Sequence, residues 1–240
     1  MFDSVALLEY LARCGYVVLP GVFDDERVRQ IAEKLDRALA QNDASVLRSR
    51  GSAYGARNLV ESFPEAAELA RQPLLRVFVI AVLGERAGLV RGLFFDKPPG
   101  RSWSLPWHKD RTIAVKDNTL PSAQFRCPTN KAGVPHVEAP EWLLESMLTL
   151  RIHLDPMTAE NGPLLVMPGS HRPDGDSNRS PVSLRAEAGD VLAMRPLLAH
   201  SSGISAPGAT AHRRVIHLEL AACQELPDGY AWHTFLPLTG

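Results

Sequence analysis

His108-Lys109-Asp110 places an imidazole and a carboxylate two positions apart. In an extended strand, side chains at i and i+2 project from the same face. His108 and Asp110 can therefore meet one metal ion from one side while Lys109 turns away. Such a pair, joined by one distant histidine, forms a 2-His-1-carboxylate triad. The triad holds one face of an octahedral ion and leaves the opposite face open, as non-haem Fe(II) oxygenases require for co-substrate and dioxygen. An H-x-D tripeptide is common by chance, so its surroundings decide what it means.

The 240 residues are 45% hydrophobic and carry a formal net charge of −1. That length can bury a sizeable core, and the charge balance lacks the basic excess expected of a nucleic-acid binder. Cys14, Cys127 and Cys223 are odd in number and scattered, so they read as free thiols in a reducing compartment. No signal-like stretch and no apolar run of membrane-spanning length stands out. These features predict one cytoplasmic domain over 1–240, monomeric or homodimeric, with neither nucleic acid nor membrane as partner.

The elements that must position the pair follow from periodicity. The N-terminal third reads as helical at 4–13, 25–41, 64–71 and 73–83, with Val28, Ile31, Leu35 and Leu39 as one apolar stripe of the second helix. Short strands are expected at 16–19 and at Arg57–Val60. From Leu89 onward strand-like runs dominate, at 89–96, 104–109, 111–115, 147–155, 163–168, 181–186, 190–195 and 213–221. The pattern predicts a mainly β barrel or sandwich with N-terminal α-helices packed on one sheet. The segment 116–146 contains five prolines and glycines and no clear period. It reads as an irregular insertion that rims the substrate pocket together with Trp103 and Trp107; Phe94 is a further candidate for the mouth.

Two strands share one alternation. Leu148, Leu150, Ile152 and Leu154 face one way, and Thr149, Arg151, His153 and Asp155 the other. Likewise Arg214, Ile216, Leu218 and Leu220 oppose Arg213, Val215, His217 and Glu219. Each strand thus has an apolar face suited to helices and a polar face suited to lining a cavity.

The run N-G-P-L-L-V-M-P-G-S-H from Asn161 to His171 is followed by Gly189-Asp190, by His200-Ser201-Ser202 and by Arg213-Arg214. With His108 and Asp110, this ordered set resembles the phytanoyl-CoA dioxygenase family of Fe(II)- and 2-oxoglutarate-dependent oxygenases, from about residue 12 to residue 221. The resemblance implies a double-stranded β-helix, or jelly roll. It implies iron ligands at His108, Asp110 and His200, and a carboxylate-binding arginine at Arg213 assisted by Ser202. Arg151 takes a pocket position where the family often has an aromatic residue, which leaves its contact open. His171 matches a signature position that does not bind iron. The implied partners are 2-oxoglutarate, dioxygen and a small-molecule substrate, with succinate and carbon dioxide as co-products.

Each residue also has a plain structural reading. His108 is a strand-surface histidine, Asp110 a turn residue, His200 a satisfied core histidine and Arg213 half of an ion pair. His136, His153 and His217 fit packing or hydrogen bonding better than ligation. Arg111 and Lys131 are further candidate anion contacts. Rival functions are desaturation or ring closure on the same scaffold, a jelly-roll binding protein with a silent metal site, and a cupin-type enzyme without 2-oxoglutarate. Halogenation requires loss of the carboxylate ligand, so Asp110 argues against it. No basic cluster for a CoA phosphate is evident.

Overall fold

The structure, a computed structural model, describes residues 4–41, 45–49, 52–99, 103–173 and 180–239. The N-terminal region supplies α1 (Ser4–Cys14), β1 (Tyr16–Leu19), α2 (Asp25–Gln41), the hairpin β2 (Val46–Ser49) and β3 (Ser52–Ala56), then α3 (Leu59–Ser62), α4 (Glu65–Ala70) and α5 (Pro73–Leu83). The strand expected at Arg57–Val60 is instead the start of α3. Asn58 takes a left-handed conformation at φ 55°, which an asparagine tolerates and a strand does not. Gln72 caps α5 by accepting from the Leu75 N–H, and Pro73 occupies its first turn, where no amide hydrogen is needed.

The remainder comprises β4 (Gly88–Phe95), β5 (Leu105–His108), β6 (Thr112–Ala114), β7 (Arg126–Lys131), β8 (Val134–Glu138), α6 (Glu141–Glu145), β9 (Met147–His153), β10 (Leu164–Val166), β11 (Val182–Ser183), β12 (Val191–Met194), β13 (His200–Ser202), β14 (Val215–Ala221) and β15 (Leu236–Pro237). One sheet runs β1-β12-β9-β14-β4-β3-β2, with β15 added beside β4, and a smaller one runs β11-β10-β13-β5. From β4 to β14 the chain crosses repeatedly between these two sheets, with antiparallel pairing throughout. This is the double-stranded β-helix.

The outer face of the large sheet carries Leu148, Leu150, Ile152, Ile216, Leu218 and Leu220. They join Ile31, Leu35, Leu69 and Leu75 of the helices in one buried core. Phe94 belongs to this helix-side core and not to a substrate mouth. The inner face of the same strands looks into the barrel.

Segment 116–146 is not irregular. It contains β7, β8 and α6, and β6-β8-β7 form a three-stranded sheet of their own. Lys131 pairs with Val134 across a two-residue turn in which Ala132 and Gly133 both have positive φ, a hairpin turn of the primed type. The sequence carries no period of two here because β7 is almost wholly exposed and has no apolar face. No helix among the described residues is long and apolar enough to cross a membrane.

Candidate active site

His200 and His108 are cross-strand partners on β13 and β5. Their rings are 4.2 Å apart between centroids. Asp110 follows β5 and is held there by its N–H, which donates to the Pro196 carbonyl at 2.9 Å. Its Oδ1 lies 3.8 Å from His108 Nε2, and its Oδ2 lies 3.7 Å from His200 Nε2. One ligand atom from each of the three residues falls within 4.8 Å of the others, so the trio can converge on one ion.

The imidazoles are oriented for ligation. Nδ1–H of His108 donates to the Pro106 carbonyl at 2.8 Å, and Nδ1–H of His200 donates to the Leu198 carbonyl at 2.9 Å. Each bond fixes the tautomer and leaves Nε2 with a free lone pair. Burial pushes His200 down to about 4, against the pull of Asp110 and the Leu198 carbonyl, so it is neutral at neutral pH. Burial would raise the Asp110 carboxyl, but His200, His217, His108 and Arg91 outweigh it and hold the group below the usual carboxylate range. Asp110 Oδ2 is buried without a hydrogen-bond partner. A carboxylate whose two oxygens each face an imidazole lone pair, one of them without a hydrogen bond, fits a divalent cation.

Ser170 in the P-G-S-H run braces both ligand-bearing segments. Its carbonyl accepts from Lys109 Nζ at 2.7 Å, and its Oγ accepts from the Ala199 N–H at 2.8 Å. His171 turns away to the Ala12 carbonyl on α1. The Gly-Asp pair is structural too: Asp190 accepts from the N–H groups of Gly21 and Glu187. At Gly189, φ is +88° and a Cβ would meet the Phe23 carbonyl oxygen at 2.0 Å, so only glycine fits.

The triad opens into a cavity of about 120 Å³. Arg151 and Arg213 also line it, at 7% and 4% exposure. Arg151 Nη1 donates to His217 Nδ1 at 3.3 Å, and Arg213 Nη1 reaches only the Met157 sulfur at 3.8 Å. Neither Nε has a partner. Burial pulls Arg213 down to about 9, aided by Arg151 and opposed by Asp96; burial likewise pulls Arg151 down to about 10, opposed by Asp110. Both guanidiniums stay charged at neutral pH and are short of counter-charge. Arg214 is different: it points to the outer face and makes a forked pair with Asp155 at 2.9 Å.

Ser202 lines the cavity and accepts from Lys97 Nζ at 3.1 Å. Lys97 is 1% exposed and also donates to the Gly203 carbonyl at 2.6 Å, with the Trp103 ring 4.9 Å away. Burial, then Arg213 and Arg151, push its ammonium down to about 7. Gly162 makes room for it, since a Cβ there would lie 2.5 Å from the Gly203 oxygen and 3.0 Å from Nζ. Lys97, Arg57 and Arg91 lie outside the ordered motif set. Arg91 was legible as the lone charge in the apolar run 88–95, whereas Lys97 sat among prolines with no strand period. Trp103 lines the cavity, but Trp107 is 45% exposed and does not. Arg111 is committed to Glu141 and Glu138.

The family model described as phytanoyl-CoA dioxygenase matches residues 11–209. The chain belongs to that family. The matched span carries the triad and Ser202, while Arg213 lies just past its end. Ectoine dioxygenase of Sphingopyxis alaskensis is 26% identical over 167 residues, 67% of this chain and 47% of the relative. The chain therefore spans about half the length of the curated relatives it matches. Among solved structures, the non-heme alpha ketoglutarate dependent epimerase SnoN from nogalamycin biosynthesis superposes with a TM-score of 0.68 at 20% identity, covering 94% of this chain and 86% of its own. The carbocyclase SnoK from the same biosynthesis gives 0.67 at 16% identity, covering 95% and 89%. At these identities the likeness shows a shared fold.

Proposed function

We propose that the protein is an Fe(II)- and 2-oxoglutarate-dependent oxygenase that hydroxylates a small organic substrate and releases succinate and carbon dioxide. One observation carries the reading: a single cavity holds both the His108–Asp110–His200 cluster and a buried Arg213 that pairs with no acid among the described residues. Family membership and the resemblance to ectoine dioxygenase support it. In this reading His108, Asp110 and His200 hold the ion. When bound, iron supplies dioxygen activation coupled to oxidative decarboxylation of the co-substrate.

The chain's own residues supply the rest. Arg213 offers a guanidinium fork to the remote carboxylate of 2-oxoglutarate, where paired charge-assisted hydrogen bonds replace water. Ser202 adds a hydroxyl whose position is fixed by Lys97. Arg151 stands on the same inner face, braced by His217. Trp103 and Leu164 wall the cavity and limit water entry. The β7–β8 hairpin is the proposed rim, since its tip carbonyl at Ala132 accepts from Asn58 Nδ2 at 3.2 Å, beside the cavity-lining Arg57.

The test is titration of Fe(II), then 2-oxoglutarate, under argon, followed by succinate measurement after air is admitted. Asp110→Ala should weaken metal binding by more than the ~10–100-fold that outer contacts are worth. Metal affinity unchanged in Asp110→Ala, or no succinate from the loaded wild type, would sink the proposal. The epimerase and carbocyclase among the structural neighbours keep a second outcome in view. Product mass separates them: hydroxylation adds an oxygen atom, ring closure removes two hydrogens, and epimerisation changes neither.

A further inference from the structure

The cavity is lined by guanidiniums at two levels, more of them than one dianion neutralises. The inner end is Arg213, with Arg151 and Lys97 near it. The outer end is Arg57 and Arg91, which line the same cavity. Arg91 pairs across the sheet with Glu219, six residues along the chain from Arg213. At ~3.4 Å per residue the backbone positions that carry Arg213 and Arg91 are roughly 20 Å apart along the strand direction, so their guanidiniums enter the cavity from different levels of the sheet.

The outer guanidiniums are placed by sheet register. Ala56 pairs with Phe94, and both face the helix-side core. Arg57 therefore falls on the opposite face with Leu93 and Arg91, toward the cavity. No side-chain partner of Arg57 is found among the described residues. Arg91 Nη1 donates to the Thr112 carbonyl at 3.2 Å, Nη2 lies 3.3 Å from Glu219 Oε1, and Nε is buried without a partner. Glu219 is the one carboxylate on this wall among the described residues and lies 3.4 Å from His217 Nε2, which makes no hydrogen bond. Lys131 of the hairpin backs the pair, with Nζ on Thr112 Oγ1 at 3.0 Å. Burial and then Arg91 pull Arg57 below its ordinary value, and burial followed by Arg91 and Arg57 does the same to Lys131.

Charge balance then limits what else can enter. A divalent ion and a doubly charged 2-oxoglutarate cancel each other. The lining still has four guanidiniums, from Arg57, Arg91, Arg151 and Arg213, against two carboxylates, Asp110 and Glu219. In a confined site such a surplus attracts anions and repels cations. Resting on the oxygenase reading above, we propose that the primary substrate is an acidic small molecule whose carboxylate or phosphate group is held by Arg57 and Arg91 at the outer end. The carbon to be oxidised then extends inward toward the triad, between the two anchored anions.

Sulfate is a suitable probe of the outer end. It is titrated calorimetrically, at constant ionic strength, into Ni(II)-loaded protein saturated with 2-oxoglutarate. One sulfate site is expected. Its affinity should fall at least about tenfold in Arg57→Gln, recover largely in Arg57→Lys, and stay unchanged in Arg86→Gln, which removes the same charge from an exposed turn. No sulfate binding, equal affinity in Arg57→Gln, or sulfate that competes with 2-oxoglutarate would each overturn the inference. 2-Oxoglutarate binding is measured on the same samples. Its failure removes the oxygenase reading, whereas its success without a sulfate site removes only the acidic substrate.

Discussion

The two faces of the β9–β14 pair hold the same residue type to opposite ends. On the outer face Arg214 is fully engaged: its backbone N–H and its Nε both donate to Asp155 Oδ2, and Nη2 donates to Oδ1. Next to it on the inner face, Arg213 is more deeply buried and pairs with no carboxylate among the described residues. A guanidinium paired within the fold contributes to stability; one buried without an acid costs stability and, in the function proposed above, is the group that meets the co-substrate. The contrast extends along both strands. Outward Ile216, Leu218 and Leu220 pack under helices, while inward His217 and Glu219 join the cavity network. Stability and chemistry are thus divided by the pleat of a single strand.

Substitutions on the two faces should separate the two properties. Leu218→Ala, on the outer face, should cost about 2–5 kcal/mol of unfolding free energy, the usual range for a leucine truncated in a core. Its 2-oxoglutarate affinity should be nearly that of wild type; urea melts and anaerobic titration read the two quantities. Arg213→Ala should do the reverse, weakening 2-oxoglutarate by about 2–5 kcal/mol, the range for removing one partner of a buried charge pair. Arg213→Met should in addition leave the apo protein no less stable, because an uncompensated buried charge is gone. A destabilised Arg213→Met with normal co-substrate affinity would make Arg213 a structural residue and erase the contrast.

Arg214→Ala should lower stability by about 1.5–3 kcal/mol, the scale of hydrogen bonds to a charged group, and leave 2-oxoglutarate binding alone. A larger co-substrate effect in Arg214→Ala than in Arg213→Ala would mean that the strand register is off by one residue.

The smallest effect concerns His153, which is fully buried on the inner face, with neither ring nitrogen hydrogen-bonded. Burial, reinforced by Arg151 and Arg213, pushes it down to about 3. The folded state therefore keeps it neutral while the unfolded chain binds a proton below about 6.5. Its contribution to stability is full above that value and declines as pH falls toward 3. His153→Phe removes the group, so stability should fall less steeply with acid across that window. An unchanged acid slope would show that other buried histidines, such as His136 and His200, each pushed down to about 4 chiefly by burial, set the acid sensitivity instead.

The sequence alone was enough to bring His108 and Asp110 to one side, because a period of two is a local property of extended backbone, although β5 ends at His108 and Asp110 lies just past it. The same rule sorted Arg213 from Arg214 and the leucines from the histidines on β9 and β14. The helix stripe of Val28, Ile31, Leu35 and Leu39 was equally local, and all four are buried. Where a strand has no buried face, as in β7, the periodic signal vanishes and no local pattern marks the strand. The meeting of His200 with His108 is a cross-strand pairing between residues 92 positions apart, fixed by the order of strands in the small sheet. Lys97 beneath Ser202, and Arg57 beside Arg91, likewise depend on which strands become neighbours. Nothing local encodes those encounters, since they arise when hydrophobic burial closes two sheets over one another and brings polar inner faces together.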